Sequence, residues 1–167
     1  MRLKVSMIAA FVAILAASAS AAVAGPPDAG VLVLGRSLGG VRLGMTVGQV
    51  EARWGHAYRR CRSCPRPTLL FNSVAFRPEG AAVELAAGRV SAVYTLWAPG
   101  AWHTAEGVQV GESATEATAV YGPLGRVQCK GYYGLTIRSA HAVSVVYVVG
   151  TDVWGLGLLR RGANVCR

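Results

Sequence analysis

The 167-residue sequence has few acidic residues, almost no lysine and little that points to catalysis. Eight Asp and Glu stand against 17 Lys and Arg, of which 15 are Arg, so the formal net charge is +9. No Walker loop and no H-E-x-x-H sequence occurs. The string GRSLG at 35–39 has the spacing of a nucleophile elbow, but a repeat helix follows it where a hydrolase has strand, turn and helix. We therefore expect no enzyme, no metal site and no cofactor.

One strongly apolar run occurs, Val5–Ala17, and it is shorter than the roughly 20 residues that a membrane-spanning helix needs. A basic start precedes it, and Ala22–Ala24 fits the rule for signal-peptidase cleavage. We expect residues 1–24 to be a cleaved signal peptide; cleavage after Ala19 or Ala21, or an uncleaved anchor, are the alternatives. Removal of this segment leaves 143 residues with a net charge of +7. The sequence thus predicts a secreted or periplasmic protein.

An internal repeat is the most informative pattern: residues 40–55 read GVRLGMTVGQVEARWG and residues 107–122 read GVQVGESATEATAVYG. In each copy one glycine precedes a helix cap of the capping-box type and another ends the helix. These positions are Gly44, Thr46, Gln49 and Gly55 in the first copy and Gly111, Ser113, Glu116 and Gly122 in the second. The pattern predicts helices near 47–54 and 114–121. Chance similarity of two helix starts is the alternative.

Apolar stretches separated by turn residues follow each predicted helix and indicate strands. They are Leu69–Phe76, Ala81–Ala86, Arg89–Trp97, Arg126–Lys130, Tyr133–Ser139, His141–Val149 and Val153–Leu159. We expect an α+β fold of two tandem repeats, each a short helix plus an antiparallel β-meander, with the helices on one face of the sheet. The predicted segments are an extended stretch at 25–39, repeats at 40–97 and 107–167, and a linker at 98–106. Whether the two sheets join is open.

Four cysteines in an exported chain favour disulfides, with three possible connectivities. A bridge between Cys61 and Cys64 is easy because two residues separate them, and a bridge between Cys129 and Cys166 would close a long loop. We predict these two pairs.

A redox role for Cys61 and Cys64 is the alternative, because neighbouring arginines lower a thiol pKa. No thioredoxin-like strand–motif–helix context surrounds the pair, and Pro65 follows directly. A zinc site built from the pair and His56 would lack a fourth protein ligand.

Basic residues crowd one short segment, where Arg59, Arg60, Arg62 and Arg66 lie around the first cysteine pair. In an exported protein such a cluster attracts anionic envelope polymers, lipid headgroups or acidic proteins. The alternative is a solvated loop that keeps the protein soluble. The segment lacks interleaved aromatic residues, and we expect no nucleic-acid binding.

Four aromatic residues at predicted linker or turn positions are candidate binding anchors, namely Trp97, Trp102, Tyr132 and Tyr133. Such residues are enriched at interface hot spots. Ordinary packing between the two halves is the alternative.

The run GMTVGQVEARWG at 44–55 resembles the start of each tandem repeat in the β-lactamase inhibitory protein family. It is also similar to the helix start of the small outer-membrane assembly lipoproteins of the SmpA/OmlA type. Both resemblances imply helices packed on an antiparallel sheet. The inhibitors use a loop with an acidic residue, whereas the corresponding hairpin tip here, residues 86–89, reads AAGR, and the acylated cysteine of the lipoproteins is also absent.

The residues and the resemblance together predict an exported, non-enzymatic binding or structural protein, a monomer that contacts another protein or the cell envelope. An inhibitor of a secreted hydrolase such as a β-lactamase is one alternative. A thiol–disulfide redox protein is another.

Overall fold

The computed structural model describes residues 30–71, 80–96 and 100–167. The predicted signal peptide at 1–24 lies outside the described residues, as do Trp97 and the end of the first predicted strand. The helices are α1 (Val47–Trp54) and α2 (Ala114–Tyr121), at the predicted positions. The strands are β1 (Val31–Val33), β2 (Ser37–Leu38), β3 (Tyr58–Cys61), β4 (Thr68–Phe71), β5 (Gly80–Ala86), β6 (Arg89–Leu96), β7 (His103–Thr104), β8 (Gly125–Gln128), β9 (Tyr133–Arg138), β10 (Ala142–Val149) and β11 (Asp152–Arg160).

Eight strands form one antiparallel sheet in the order β3-β4-β5-β6-β11-β10-β9-β8. The strands that follow α1 and those that follow α2 meet at the β6–β11 pair, where Tyr94 lies opposite Gly157. The two predicted meanders therefore join into one sheet. β10 pairs with both β9 and β11 and is buried from Ala142 to Val148, as its two apolar faces predict. The fold is α+β, and most of its regular structure is this sheet.

A second sheet of three short strands has the order β2-β1-β7, with β1 antiparallel to β2 and parallel to β7. The sequence did not predict it, because strands of two or three residues carry no readable alternation. β7 lies in the predicted linker and begins directly after Trp102. The Trp102 ring is 2% exposed and meets the Trp54 ring edge-on at 6.1 Å between centroids. The predicted linker thus contributes to the core.

The two helix caps differ in their hydrogen bonds. At α1 the predicted capping box is confirmed: Thr46 Oγ1 accepts from the Gln49 amide at 3.3 Å, and Gln49 Oε1 accepts from the Thr46 amide at 2.9 Å. At α2 the predicted box between Ser113 and Glu116 is wrong. Ser113 Oγ accepts from the Thr115 amide at 3.3 Å and lies 2.8 Å from the Thr115 hydroxyl. The cap residue is therefore Ser113, as predicted, but its oxygen binds the amide one residue earlier than a capping box requires.

Both helices end at the predicted glycines. Gly55 has φ 74° and Gly122 has φ 72°, values in the left-handed region that favours glycine. Each glycine amide donates to the carbonyl oxygen four residues back, at 2.8 Å to Glu51 and 2.9 Å to Thr118. These bonds complete the last helical turns.

Alternate residues of the large sheet build two hydrophobic clusters on opposite faces. The first face packs against both helices through Val50, Trp54 and Ala117. The second face is formed by residues of the central strands, including Tyr94 and Tyr147. Residues 163 and 165 of the last segment pack against that second face.

Both predicted disulfides are present. Cys61 and Cys64 join the end of β3 to the following loop and are three positions apart in sequence. Cys129 and Cys166 are 37 positions apart and tie residues 163–167, the C-terminal strap, to the loop after β8. Cysteine pairing of this kind fits an oxidising compartment outside the cytoplasm.

Candidate functional site

A cleft of about 880 Å³ that is rich in arginine lies among the described residues. We call it the arginine cleft. Its charged lining consists of Arg36, Arg42, Arg89, Arg160 and Arg161, together with His141. No carboxylate of the described residues lines it. The cleft therefore concentrates positive charge in one concave region, and such an arrangement attracts anions.

Five separate chain segments bring these side chains together. Arg36 lies in the β1–β2 turn, which is fixed to the large sheet by a 2.9 Å hydrogen bond from the Gly35 amide to Ser144 Oγ. Arg42 precedes α1, and Arg89 begins β6 after a two-residue hairpin turn. The remaining ionisable side chains come from the β9–β10 turn, which contains His141, and from the end of β11.

The hairpin turn between β5 and β6 consists of Ala87 and Gly88. Ala87 has φ 49° and Gly88 has φ 72°, and positive φ at both central residues is the signature of the turn that matches strand twist. The turn places Arg89 at the cleft with its Nη1 donating to the Gly44 carbonyl oxygen at 3.0 Å. The hairpin tip that carries an acid in the inhibitor family thus carries a cation here.

The cleft arginines either lack a side-chain or carbonyl acceptor that the described residues supply, or use only one of their donors. Arg89 and Arg161 each donate to one backbone carbonyl oxygen, Arg161 at 3.4 Å to Ala140. The side chains of Arg36, Arg42 and Arg160 make no hydrogen bond or ion pair within residues 30–71, 80–96 and 100–167. Unsatisfied guanidinium groups around one cavity leave donors for a ligand.

Four of the described Asp and Glu side chains have partners outside the arginine cleft. Glu51 accepts from Tyr58, and Glu106 accepts from Tyr121. Glu112 accepts from the Gln109 amide, and Glu84 pairs with Arg167 on the second face. No neutralising group therefore reaches the arginine cleft from the described part of the protein.

A second corner of the molecule repeats the backbone of the first without its cations. In the first corner the Gly44 amide donates to Val90 at 2.8 Å, and the Val90 amide donates to Met45 at 2.8 Å. In the second corner the corresponding bonds join Gly111 to Val153 and Val153 to Glu112, both at 2.7 Å.

The side chains flanking these bonds differ in charge. Where the first corner has Arg42 and Arg89, the second has Gln109 and Asp152. The backbone frame is therefore compatible with neutral and acidic side chains, and the arginines are not required to form it.

The predicted basic cluster lies apart from the arginine cleft. Arg59 and Arg60 are on β3, an edge strand of the large sheet, and Arg62 and Arg66 flank the Cys61–Cys64 bridge in the next loop. All four are exposed, and Arg60 Nη2 donates to the Tyr58 hydroxyl at 3.4 Å. Its role as a binding site stays a prediction.

The candidate aromatic anchors do not gather on one exposed surface. The prediction that Trp102 is an exposed anchor is wrong. Trp102 is buried, and its ring packs against the ring of Trp54. Tyr132 and Tyr133 are half-buried. Tyr132 donates to the Arg167 carbonyl oxygen at 2.6 Å, and Tyr133 stacks beneath Arg126 with 3.8 Å from guanidinium carbon to ring centroid.

The C-terminal strap is held on the second face by polar contacts as well as by Cys166. The Tyr147 hydroxyl donates to the Val165 carbonyl oxygen at 3.0 Å. Arg167 Nε lies 3.6 Å from Glu84 Oε1, and these side chains are 13% and 11% exposed. Burial, and then the Glu84 charge, raises the pKa of Tyr94 to about 12, so this phenol stays neutral at ordinary pH.

Nothing in the described residues supports a metal or nucleophile site. No group of three or more His, Cys, Asp and Glu side chains among them could hold a metal ion. Ser37 of the GRSLG string lies in β2 opposite Val33 and not at a strand–helix elbow. Cys61 and Cys64 are oxidised, and bends without a helix follow them. Neither α1 nor α2, the helices of the described chain, is long and apolar enough to cross a membrane.

Neither a protein-family model nor a curated protein matches the chain. Two solved structures resemble it. One is an extracellular protein containing an SCP domain from Bacillus anthracis str. Ames, at 12% identity and TM-score 0.49, with 71% of this chain covered; this chain spans 44% of that protein. The other is a DUF4309 family protein from Bacillus subtilis, at 12% identity and TM-score 0.51, covering 70% of this chain and 78% of that one. At this identity the second likeness concerns the fold alone.

Proposed function

We propose that this chain is an exported, non-enzymatic binding protein whose arginine cleft holds an anionic partner. The N-terminal sequence pattern and the two disulfides support export. The partner is an anionic component of the cell envelope or an acidic protein surface.

The observation that carries this proposal is that the arginine cleft gathers positive side chains with no described carboxylate among them. Arginines from separate segments converge there, and three of them have no acceptor within the described residues. Like charges held together repel one another and weaken folding unless a ligand or counter-ion neutralises them. The second corner, which has Gln109 and Asp152 at the matching positions, supports a role for these arginines other than folding.

We also propose that residues 40–97 and 107–167 are tandem copies of one unit, of the kind found in the inhibitor and lipoprotein families that the sequence resembles. Three observations support this proposal. Each helix is followed by four strands that enter one sheet in mirrored order. The two corners make the same pair of hydrogen bonds. The β5–β6 and β10–β11 hairpins each change register at the same position relative to the turn, after Glu84 and after Tyr147.

Inhibition of a secreted hydrolase is the second candidate function. It is supported by the position of the β5–β6 hairpin, whose residues 86–89 line the arginine cleft as an exposed tip. Because this tip carries Arg89 and no acid, such a partner would present an acidic surface.

The proposal is tested by salt-gradient elution of the disulfide-bonded protein from a sulfated-polysaccharide matrix. The double variant R42Q/R160Q removes two cleft charges, and R62Q/R66Q removes two charges from the β3 loop as the matched control. Charge-assisted hydrogen bonds contribute about 1.5–3 kcal/mol each, so we expect R42Q/R160Q to weaken binding about tenfold or more.

The control variant is expected to elute close to the unmodified protein. Equal weakening by both variants would show that net charge alone drives retention and would overturn a role for the cleft. Thermal unfolding of each variant verifies that its fold is intact.

A further inference from the structure

We infer that the arginine cleft selects ligands with two or more linked phosphate groups over carboxylate ligands of similar charge. This inference rests on the proposed function of the same cleft. It names the chemical class of the anion, which the proposed function leaves open.

The first step is the type of donor. Every permanent cation that lines the cleft is arginine, and none is lysine. A guanidinium group is planar, carries five N–H donors in a fixed fork and pairs side-on with two oxygens of one oxyanion. An ammonium group, in contrast, acts as a point charge without this directional match.

The second step is the balance of donors and acceptors. Arg36, Arg42 and Arg160 bring all their donors to the ligand, while Arg89 and Arg161 each use one for a carbonyl oxygen. A carboxylate has two oxygens in one plane, and one arginine pairs with both of them in a bidentate contact. A terminal phosphate has three strong acceptor oxygens and a larger charge, so one phosphate bridges neighbouring guanidinium groups. A group of arginines without carboxylates between them therefore matches phosphate better than carboxylate, because each phosphate offers more acceptor oxygens.

The third step is the size of the cleft. Its volume of about 880 Å³ lies within the range of about 300–1,000 Å³ typical of whole small-molecule sites and is far larger than one bound ion requires. The cations also stand on different walls, from the β1–β2 turn to the end of β11. A ligand with linked phosphates reaches several of them at once, and a single phosphate does not.

The walls between the arginines are small and apolar, with Leu43, Ala86, Val90 and Ala142 among them. Such walls accept the uncharged part that joins phosphates in a diester. Two sources supply this chemistry, a soluble oligophosphate or phosphodiester and the headgroups of an anionic phospholipid layer. The cleft geometry is the same for both, and the experiment separates them.

Calorimetric titration of the full disulfide-bonded protein with pyrophosphate and with citrate tests the selectivity, because these ions are similar in charge and size. We expect pyrophosphate to bind at least about tenfold more tightly than citrate. R42Q/R160Q is expected to lose this difference, and R62Q/R66Q is expected to keep it. Equal affinity for both ions overturns the inference.

Co-sedimentation with vesicles identifies the source. Binding to cardiolipin vesicles, whose headgroup links two phosphates, but not to phosphatidylglycerol vesicles of equal charge, with release by pyrophosphate, supports the inference and identifies a lipid headgroup. Equal binding to both kinds of vesicle overturns the preference for linked phosphates. Binding of pyrophosphate with no vesicle binding supports it and identifies a soluble ligand. Citrate and pyrophosphate binding equally while the sulfated matrix still retains the protein overturns phosphate selectivity and leaves the proposed function standing. Failure to bind any of these polyanions overturns both.

Discussion

The two corners of the molecule have one backbone and two different surfaces. In each corner a glycine amide before a helix donates to a residue on the second strand of a hairpin, and the amide of that strand residue donates to the residue after the glycine, at 2.7–2.8 Å. One corner presents Arg42 and Arg89, and the other presents Gln109 and Asp152. The comparison teaches that backbone bonds and glycine conformation establish this corner, while the side chains beside them are free to serve binding.

The helices above the two corners also differ in how much they bury. α1 places Trp54 in the core, where its ring meets Phe71 at 5.1 Å between centroids and its Nε1 donates to Gly39 at 2.8 Å. α2 buries Ala117 fully and leaves Tyr121 half-exposed. Helix α1 is therefore packed more firmly against the core than helix α2.

Removing the large side chain from each helix measures this difference and has the largest expected effect. Trp54→Ala leaves a cavity beneath Phe71 and Trp102 and should lower the free energy of unfolding by about 3–5 kcal/mol. Tyr121→Ala loses partial burial and the hydrogen bond to Glu106 and should cost about 1–2 kcal/mol. Urea unfolding curves give both values. Similar losses at the two positions would show that the helices contribute equally.

Removal of the two disulfides should change the free energy of unfolding by amounts that differ less than those of the two helix variants. The replacement of Cys129 and Cys166 by alanine opens a loop of 37 positions and should cost about 4 kcal/mol, because the unfolded chain gains the larger freedom. The same replacement at Cys61 and Cys64 opens a loop of three positions and should cost about 2 kcal/mol. Thermal unfolding of the two double variants, with reduced unmodified protein as the reference, compares them. The reverse order would mean that the short bridge stabilises β3 directly.

Exchange of charges between the corners should have the smallest effect on stability. Q109R/D152R copies the arginine pair to the second corner, where both positions are exposed. We expect the free energy of unfolding to change by no more than about 0.5 kcal/mol, because surface substitutions away from caps and core have small effects. The shift in melting temperature measures this change. A decrease of more than about 2 kcal/mol in the free energy of unfolding would show that the charges of the side chains help to stabilise the backbone of each corner.

Local signals in the sequence account for the elements that were predicted well. The caps at Thr46 and Ser113 and the glycines at Gly55 and Gly122 act within one or two turns, so both helices could be placed from the residues alone. The cysteine pairs follow from compartment and loop length. The detail at Ser113 was missed because two neighbouring hydroxyls compete for one bond, which a spacing rule does not register.

Contacts between distant segments account for what was missed. β1 and β7 are far apart in the chain, and each is too short to show a period. The arginine cleft has the same origin: Arg36, Arg89 and Arg160 are far apart in the sequence, whereas Arg59, Arg60, Arg62 and Arg66 attract attention because they lie close together. Closeness in sequence does not identify a concave site, because such a site forms where the fold brings separated residues together.

The seam between β6 and β11 has a consequence for the history of the chain. Tyr94 and Gly157 lie opposite each other, and each follows the register change of its own hairpin by the same number of residues. Such a seam maps onto itself under a half-turn rotation. If the chain arose by doubling, its single-unit ancestor could have formed the same sheet as a homodimer joined through its last strand, and fusion of the two genes would then have freed one of two identical surfaces to diverge in charge.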